Sequence, residues 1–315
     1  MLNLVTGKGS AMSESLTGDP YLNALTFTGS GEVGTRLRHA VADCNVKVQL
    51  ELGGKNPVVV HADADLAAAA QIVRGAVLYT GQRCTALSRV YVERAAAQAF
   101  RKLMVDEVAG HAVVDPYDEG TDVAPLVSAE QRDRVSRYLE IAREEKADVV
   151  VEEDPCRQTG FFLASTVLSG IAPDSVVLRE EIFGPVLVVE EMDVFDDALR
   201  AANDTELGRS SAIFTINLNK AMAFFHRTQS GLVHINWSTS GVKPHIPFGV
   251  SRIQETWAGS CARRPGRSSP RPRSFTCGRH RDERLAGHPS RHSLAAIIPQ
   301  PHTVGTLPRS KHGQH

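Results

Sequence analysis

Cysteine is scarce in this chain, and what there is lacks pattern. Cys44, Cys84, Cys156, Cys261 and Cys277 show neither metal-ligand nor disulfide spacing, which argues against a disulfide scaffold or a zinc module. Unpaired cysteines suit a reducing compartment, so a cytoplasmic protein is expected. Long apolar runs are missing too: none approaches the roughly 18–20 residues of a membrane span. The opening "MLNLVTGKGSAMSES" has neither the basic region nor the apolar stretch of a signal peptide. No membrane association is expected, and no internal repeat is visible.

A net charge is also lacking, with 35 basic residues against 36 acidic ones. That balance conceals a split. Residues 251–315 hold eleven Arg and one Lys against Glu255, Asp282 and Glu283, a net of +9, which leaves −10 on residues 1–250. The same tail carries six of the twelve His and seven of the sixteen Pro. Such a composition cannot bury enough apolar surface to offset chain entropy, so 251–315 is expected to be disordered. Its Arg could meet nucleic-acid phosphates, but the reading preferred here gives the charge no function and expects no nucleic-acid partner.

What is present before the tail alternates between strand and helix. "YLNALTFTGS" (21–30) is a short apolar run ending in Gly and Ser, and 32–44 then places Val33, Leu37 and Val41 on one helical stripe. "VKVQLEL" (46–52) alternates apolar and polar residues, the pattern of a half-buried strand. "PVVVH" is a buried strand, and 64–81 is expected to be one helix stopped at Gly81. "SRVYVE" is another strand, helices follow across 95–108 and 129–145, and the class is α/β with mostly parallel sheets.

Three stretches suggest chemistry. In "FTGSGEVG", Gly29, Gly31 and Gly34 have G-x-G-x-x-G spacing between a strand and a helix, where backbone N–H groups can cradle a phosphate. Glu51 lies about twenty residues on, where such a fingerprint places its ribose ligand; tight strand–helix turns also use glycine. In "TGQRCTALS", Cys84 sits in a polar turn beside Arg83, and a nearby cation favours the reactive thiolate. A small buried cysteine is the plainer alternative. In "REEIFGPVLVV", a carboxylate could hold ribose hydroxyls and Phe183 could lie against a flat ring, although on spacing alone a solvated turn with one core Phe is the better reading.

Together these stretches resemble the aldehyde dehydrogenase superfamily. From about Asn3 to Gly249 the chain shows "NLVTG", "FTGSGEVG", "LELGGKNPVVV", "GQRCTALSRVYV", "REEIFGPVLVVE", "ANDTELG", "SGLVHIN" and "PHIPFG" in the family's order. The resemblance implies a partial Rossmann-like dinucleotide-binding domain over 1–53, a catalytic thiol domain over 54–250, and the disordered tail. It implies NAD or NADP as cofactor and an aldehyde or semialdehyde as substrate, oxidised to the acid. Cys84 would be the nucleophile, its backbone N–H half of the oxyanion hole, and Glu51 the base that activates water, which displaces the ribose reading of Glu51. Gly29, Ser30 and Gly34 would hold the pyrophosphate, Glu181 the nicotinamide ribose, and Phe183 would pack on the nicotinamide. Arg83, Thr85 and the Trp237–Pro247 loop, including His245, would border the aldehyde pocket. A glutamate at 51 favours release of the acyl group to water over release to coenzyme A.

The resemblance also marks departures. The family's leading strands, its oxyanion-hole Asn and its adenosine-ribose Lys have no counterpart here, so a truncated chain is expected. Arg209 stands where the family usually has an apolar residue, and Ser165 where it usually has Pro. After "PFG", the codons possible for Val250–Cys261, regrouped one nucleotide earlier, permit "GFKDSGNLGREL", the string the family places there. A reading-frame slip after Gly249 is therefore expected, with loss of the family's final oligomerisation strand. The alternatives to a dehydrogenase are a catalytically dead remnant and a cofactor-independent thiol esterase.

Overall fold

The computed structural model describes residues 2–109, 123–152, 160–241 and 248, with the backbone of three short strands at 251–252, 274–277 and 294–296. Its first helix, α1 (Gly9–Thr17), precedes strand β1 (Ala24–Thr28), helix α2 (Gly31–Ala40) and strand β2 (Lys47–Glu51). β1 and β2 form a separate two-stranded parallel sheet, in register so that Thr28 faces Glu51. The alternation read in 46–52 holds where it matters: Leu50 and Leu52 are buried, while Lys47 is exposed.

The larger sheet begins with β3 (Asn56–Val60). After α3 (Leu66–Gln71) and α4 (Arg74–Val77) come β4 (Leu87–Glu93), α5 (Arg94–Ala109), α6 (Ala129–Glu144), β5 (Asp148–Glu152) and β6 (Thr166–Ser169). The chain continues through α7 (Val176–Arg179), β7 (Val186–Met192), α8 (Phe195–Asn203), β8 (Leu207–Gly208), β9 (Ser210–Phe214), α9 (Leu218–Arg227) and β10 (Leu232–Ile235). The last strands are β11 (Ser251–Arg252), β12 (Ser274–Cys277) and β13 (Leu294–Ala296). Nine of these strands form one sheet in the order β13-β12-β10-β9-β3-β4-β7-β6-β5, and β11 pairs antiparallel with β8. Within the nine-stranded sheet only the edge pairs β5–β6 and β12–β13 are antiparallel.

Both faces of this sheet are covered, which is why β3 reads as an unbroken apolar run rather than an alternating one. Val58 and Val60 face α3 and α5 through Ala68, Ala69, Phe100 and Met104. Val59 points the other way, into Leu199, Phe224 and Phe225 of α8 and α9. A third cluster seats α6 on β6 and β7 through Val135, Leu139, Leu168 and Val188.

Two sequence expectations need comment. The single helix over 64–81 is broken into α3, α4 and a short 3₁₀ turn at Leu78–Gly81, with Tyr79 and Thr80 at φ 56° and 57°. The buried Thr80 hydroxyl donates to the Ala124 carbonyl, so a contact distant in sequence holds the turn out of helical geometry. The expected disorder of 251–315 falls largely outside the described residues; within it, β11, β12 and β13 are described as strands.

Candidate functional site

The loops before β3, β4 and β9 all lie at the N-terminal ends of these parallel strands, and there the chemistry-bearing residues converge. Their meeting point is the pair Gly53–Gly54. A Cβ placed on Gly53 would come within 1.7 Å of the Glu181 carboxylate, and one on Gly54 within 2.5 Å of the Cys84 carbonyl oxygen. Glycine is required at both by close approach. The Gly54 N–H donates to Glu181 Oε1 at 2.9 Å. Burial pushes the Glu181 carboxyl above its usual range, against the pull of the Gly54 N–H and of the Arg134, Lys55 and Arg209 charges.

Cys84 is a free thiol, half-buried, in a turn closed by the Ala86 N–H to the Arg83 carbonyl. Its backbone is held by Asn56: the side-chain amide donates to the carbonyls of Cys84 at 2.9 Å and Ala86 at 2.7 Å, while Asn56 Oδ1 accepts from the Ser210 N–H. Thr85 is buried, and its carbonyl accepts from the hydroxyls of Thr239 and Ser240, which brings the Trp237 loop against the Cys84 turn. Arg83 is exposed and stacks on Tyr79, its Cζ 4.8 Å from the ring centroid. His245 lies outside the described residues.

Phe183 and Glu181 are held from α6. Gln131 donates to the carbonyls of Ile182 and Phe183, and Arg134 to that of Glu181. This fixes Phe183 in a left-handed conformation, φ 57°.

The first fingerprint stretch lies alongside. Ser30 caps α2, its Oγ accepting from the Val33 N–H, and the Gly29 N–H donates to the Glu51 carbonyl. Gly34 is tight against Leu52, whereas Gly31 has open space beside it. The Glu51 side chain turns toward the larger sheet: its Oε2 accepts from Arg209 Nη1 at 2.6 Å, and its Oε1 from the Gln49 amide at 3.3 Å.

Sequence reading missed four residues that organise this site. Asn56 lies inside the "LELGGKNPVVV" stretch, but its role is hidden there, because an amide that serves backbone carbonyls looks like any strand-end Asn. Gln131 and Arg134 lie on an amphipathic helix that reads as an ordinary surface element. Lys55 is buried with no hydrogen-bond partner for its Nζ, and burial, with the nearby Arg89 charge, lowers its pKa to about 7. Among the described residues no group of three His, Cys, Asp or Glu is placed to hold a metal ion, and no helix is long and apolar enough to cross a membrane.

A mostly parallel sheet covered on both faces, with the Cys84 turn and Glu181 meeting at one glycine pair, defines an α/β domain. The chain belongs to the aldehyde dehydrogenase family, whose model matches residues 1–252. It is 36% identical over 254 residues to the alpha-ketoglutaric semialdehyde dehydrogenase of Bacillus subtilis, an alignment covering 79% of this chain and 52% of that protein. The crystal structure of an NAD-dependent aldehyde dehydrogenase from Sinorhizobium meliloti superposes with a TM-score of 0.76 at 35% identity, over 79% of this chain and 50% of that one. Betaine aldehyde dehydrogenase from Staphylococcus aureus, solved in complex with NAD+, gives 0.75 at 29% identity, over 79% and 50% of the two chains. The chain thus spans about half the length of the relatives it matches.

Proposed function

We propose that this chain carries the thiol chemistry of an NAD(P)+-dependent dehydrogenase that oxidises an aldehyde or semialdehyde to a carboxylic acid. The observation that carries the reading is the convergence of the Cys84 turn and Glu181 on Gly53–Gly54, with Glu51 joined to the same loop through Arg209, which also binds the Leu52 carbonyl. In this reading, residues 1–53 belong to the dinucleotide-binding domain and 54–250 to the catalytic domain.

Cys84 Sγ attacks the aldehyde carbon: a C–S bond forms, the C=O π pair moves onto the oxygen, and a thiohemiacetal results. The cofactor, when bound, supplies the acceptor for the hydride that leaves this carbon. Glu51 then takes a proton from a water whose oxygen attacks the resulting thioester; the C–S bond breaks, the acid departs and the thiol is restored. The Cys84 backbone N–H faces the developing oxyanion.

The residues present suit a dinucleotide. The Ser30-capped start of α2, with open space beside Gly31, offers N–H groups to phosphate. Glu181 would hold the nicotinamide ribose, and Phe183, fixed by Gln131, would support the ring. The Bacillus subtilis relative is named for a semialdehyde. A carboxylate on such a substrate would find its counter-charge in the exposed Arg83, the residue before Cys84 in the chain.

The test is a first-turnover measurement with propionaldehyde and NAD+ or NADP+, following absorbance of the reduced cofactor. Glu51→Gln should keep the initial burst and lose steady turnover, while Cys84→Ser should lose both. Steady oxidation surviving in Cys84→Ser would end the proposal.

The frame slip after Gly249 belongs to the same reading. The family match stops at residue 252, three residues past it. Nucleotides that fail to encode "GFKDSGNLGREL" in the shifted frame would rule it out.

A further inference from the structure

The buried cation at position 209 is an unusual neighbour for a general base. The Arg209 side chain is 1% exposed, against 24% for its partner Glu51. One guanidinium nitrogen donates to Glu51 Oε2 at 2.6 Å and a second to the Leu52 carbonyl at 2.5 Å, so the group grips both ends of the Glu51–Leu52 segment. Phe248 covers it, with the Arg209 Cζ 4.8 Å from the ring centroid. Arg209 Nε has no hydrogen-bond partner. The Glu51 carboxylate therefore supplies the counter-charge of a guanidinium that has little water to replace it.

For a carboxylate so engaged, turning toward a water means first leaving Arg209. Leaving would take the counter-charge from a buried cation, which is costly in a low-dielectric setting. The hydrogen bond is charge-assisted and short, the stronger kind. The second oxygen already accepts from Gln49, so neither oxygen is without a partner.

We propose that Arg209 is a positioning residue that holds Glu51 in an ion-paired resting state, so that a thioester on Cys84 is long-lived until the pair opens. This rests on the reading of Cys84 as nucleophile and Glu51 as base. Persistence of the acyl group would make its release, rather than its formation, the slow step.

The experiment needs no cofactor. The full chain is treated with p-nitrophenyl acetate: Cys84 Sγ bonds to the acetyl carbon, the ester C–O bond breaks and p-nitrophenolate leaves. Intact-protein and peptide mass spectrometry then follow the acetyl group on Cys84 until water removes it as acetate and the thiol is restored. Arg209→Leu should shorten the adduct's half-life by about tenfold or more, and Arg209→Lys, which keeps the charge, should leave it within about threefold of the parent. Arg209→Met provides a second uncharged variant of similar reach should the Leu substitution impair folding.

An unchanged half-life in Arg209→Leu and Arg209→Met, with Glu51→Gln prolonging it, would overturn the proposal and leave the base reading standing. Equal shortening by Leu and Lys would overturn it as well, since packing rather than charge would then be responsible. No effect of Glu51→Gln would overturn the base reading and the proposal with it. Absence of any adduct on Cys84 would overturn the nucleophile reading, and the proposal again with it.

Discussion

Gly81 and Gly184 pack so closely that a methyl group on Gly81 would lie 2.0 Å from the Gly184 carbonyl oxygen. This contact couples two loops far apart in sequence, one leading to Cys84 and the other carrying Glu181 and Phe183. Gly81 also has φ +65°, a conformation that L side chains rarely adopt. Gly81→Ala is therefore expected to destabilise the fold by roughly 2–4 kcal/mol, combining overpacking with backbone strain. Urea unfolding should show the midpoint drop. A variant as stable as the parent would mean the two loops can separate at no cost.

The same contact shows what the sequence could and could not convey. Strand β3 was legible because a sheet covered on both faces demands a continuous apolar run, and "PVVVH" is one. The Cys84 turn and the 181–184 loop were legible as pieces, because Gly, Pro and charge punctuate them. Their juxtaposition was not, since nothing local to Gly81 points to Gly184, 103 positions away by sequence number. The break in the expected helix over 64–81 was hidden for the same reason: Thr80 is held by Ala124, a tertiary contact that overrides local helix preference. Arg209 stood out in sequence only as a departure from the family's pattern, and its partnership with Glu51 had to be seen in three dimensions.

Asn56 gives a second test. It is 1% exposed, and its amide faces two carbonyls while its oxygen faces one N–H. Asn56→Asp replaces the two-fold donor by an acceptor and buries a carboxylate against the Cys84 and Ala86 carbonyls. The expected cost is about 3–5 kcal/mol, as for an uncompensated buried charge. Iodoacetamide alkylation of Cys84, followed by peptide mass spectrometry, should accelerate as the turn loosens. Alkylation at the parent's rate would show that Asn56 does not hold that turn.

His234, 3% exposed on β10, has neither ring nitrogen hydrogen-bonded, and burial lowers its pKa from 6.5 to about 4. Between about pH 4 and 6.5 the unfolded chain therefore binds a proton that the folded chain refuses, and stability rises with pH across that window. Acidification from pH 7 to 4 should remove on the order of 3 kcal/mol through this group alone. His234→Leu should flatten that part of the stability profile, measured by urea unfolding at half-unit pH intervals. Parallel profiles for the two proteins would refute the assignment.

Lys55 behaves in the same sense at the alkaline end, and nearer the site. Its pKa falls from 10.5 to about 7 because burial and the Arg89 charge disfavour the ammonium, against weaker support from Glu181 and Glu180. Arg89 cannot move away to relieve it: that guanidinium is fully buried and caps the C-terminal carbonyls Ala201 and Ala202 of α8 while also donating to the Lys55 carbonyl. Below about pH 7 both folded and unfolded chains carry the charged lysine, and the folded one bears the whole desolvation cost. From about pH 7 to 10.5 the unfolded chain binds the extra proton, so stability should climb with pH until the cost is gone. Lys55→Met removes the charge and keeps the apolar stem, so it should raise stability most at pH 6–7, by a few kcal/mol, and by little at pH 10.5. The measurement is the difference in urea midpoint between parent and variant at those pH values. A gain that is constant with pH would trace it to packing, and a loss at pH 6–7 would mean the Lys55 ammonium has a partner that stabilises it.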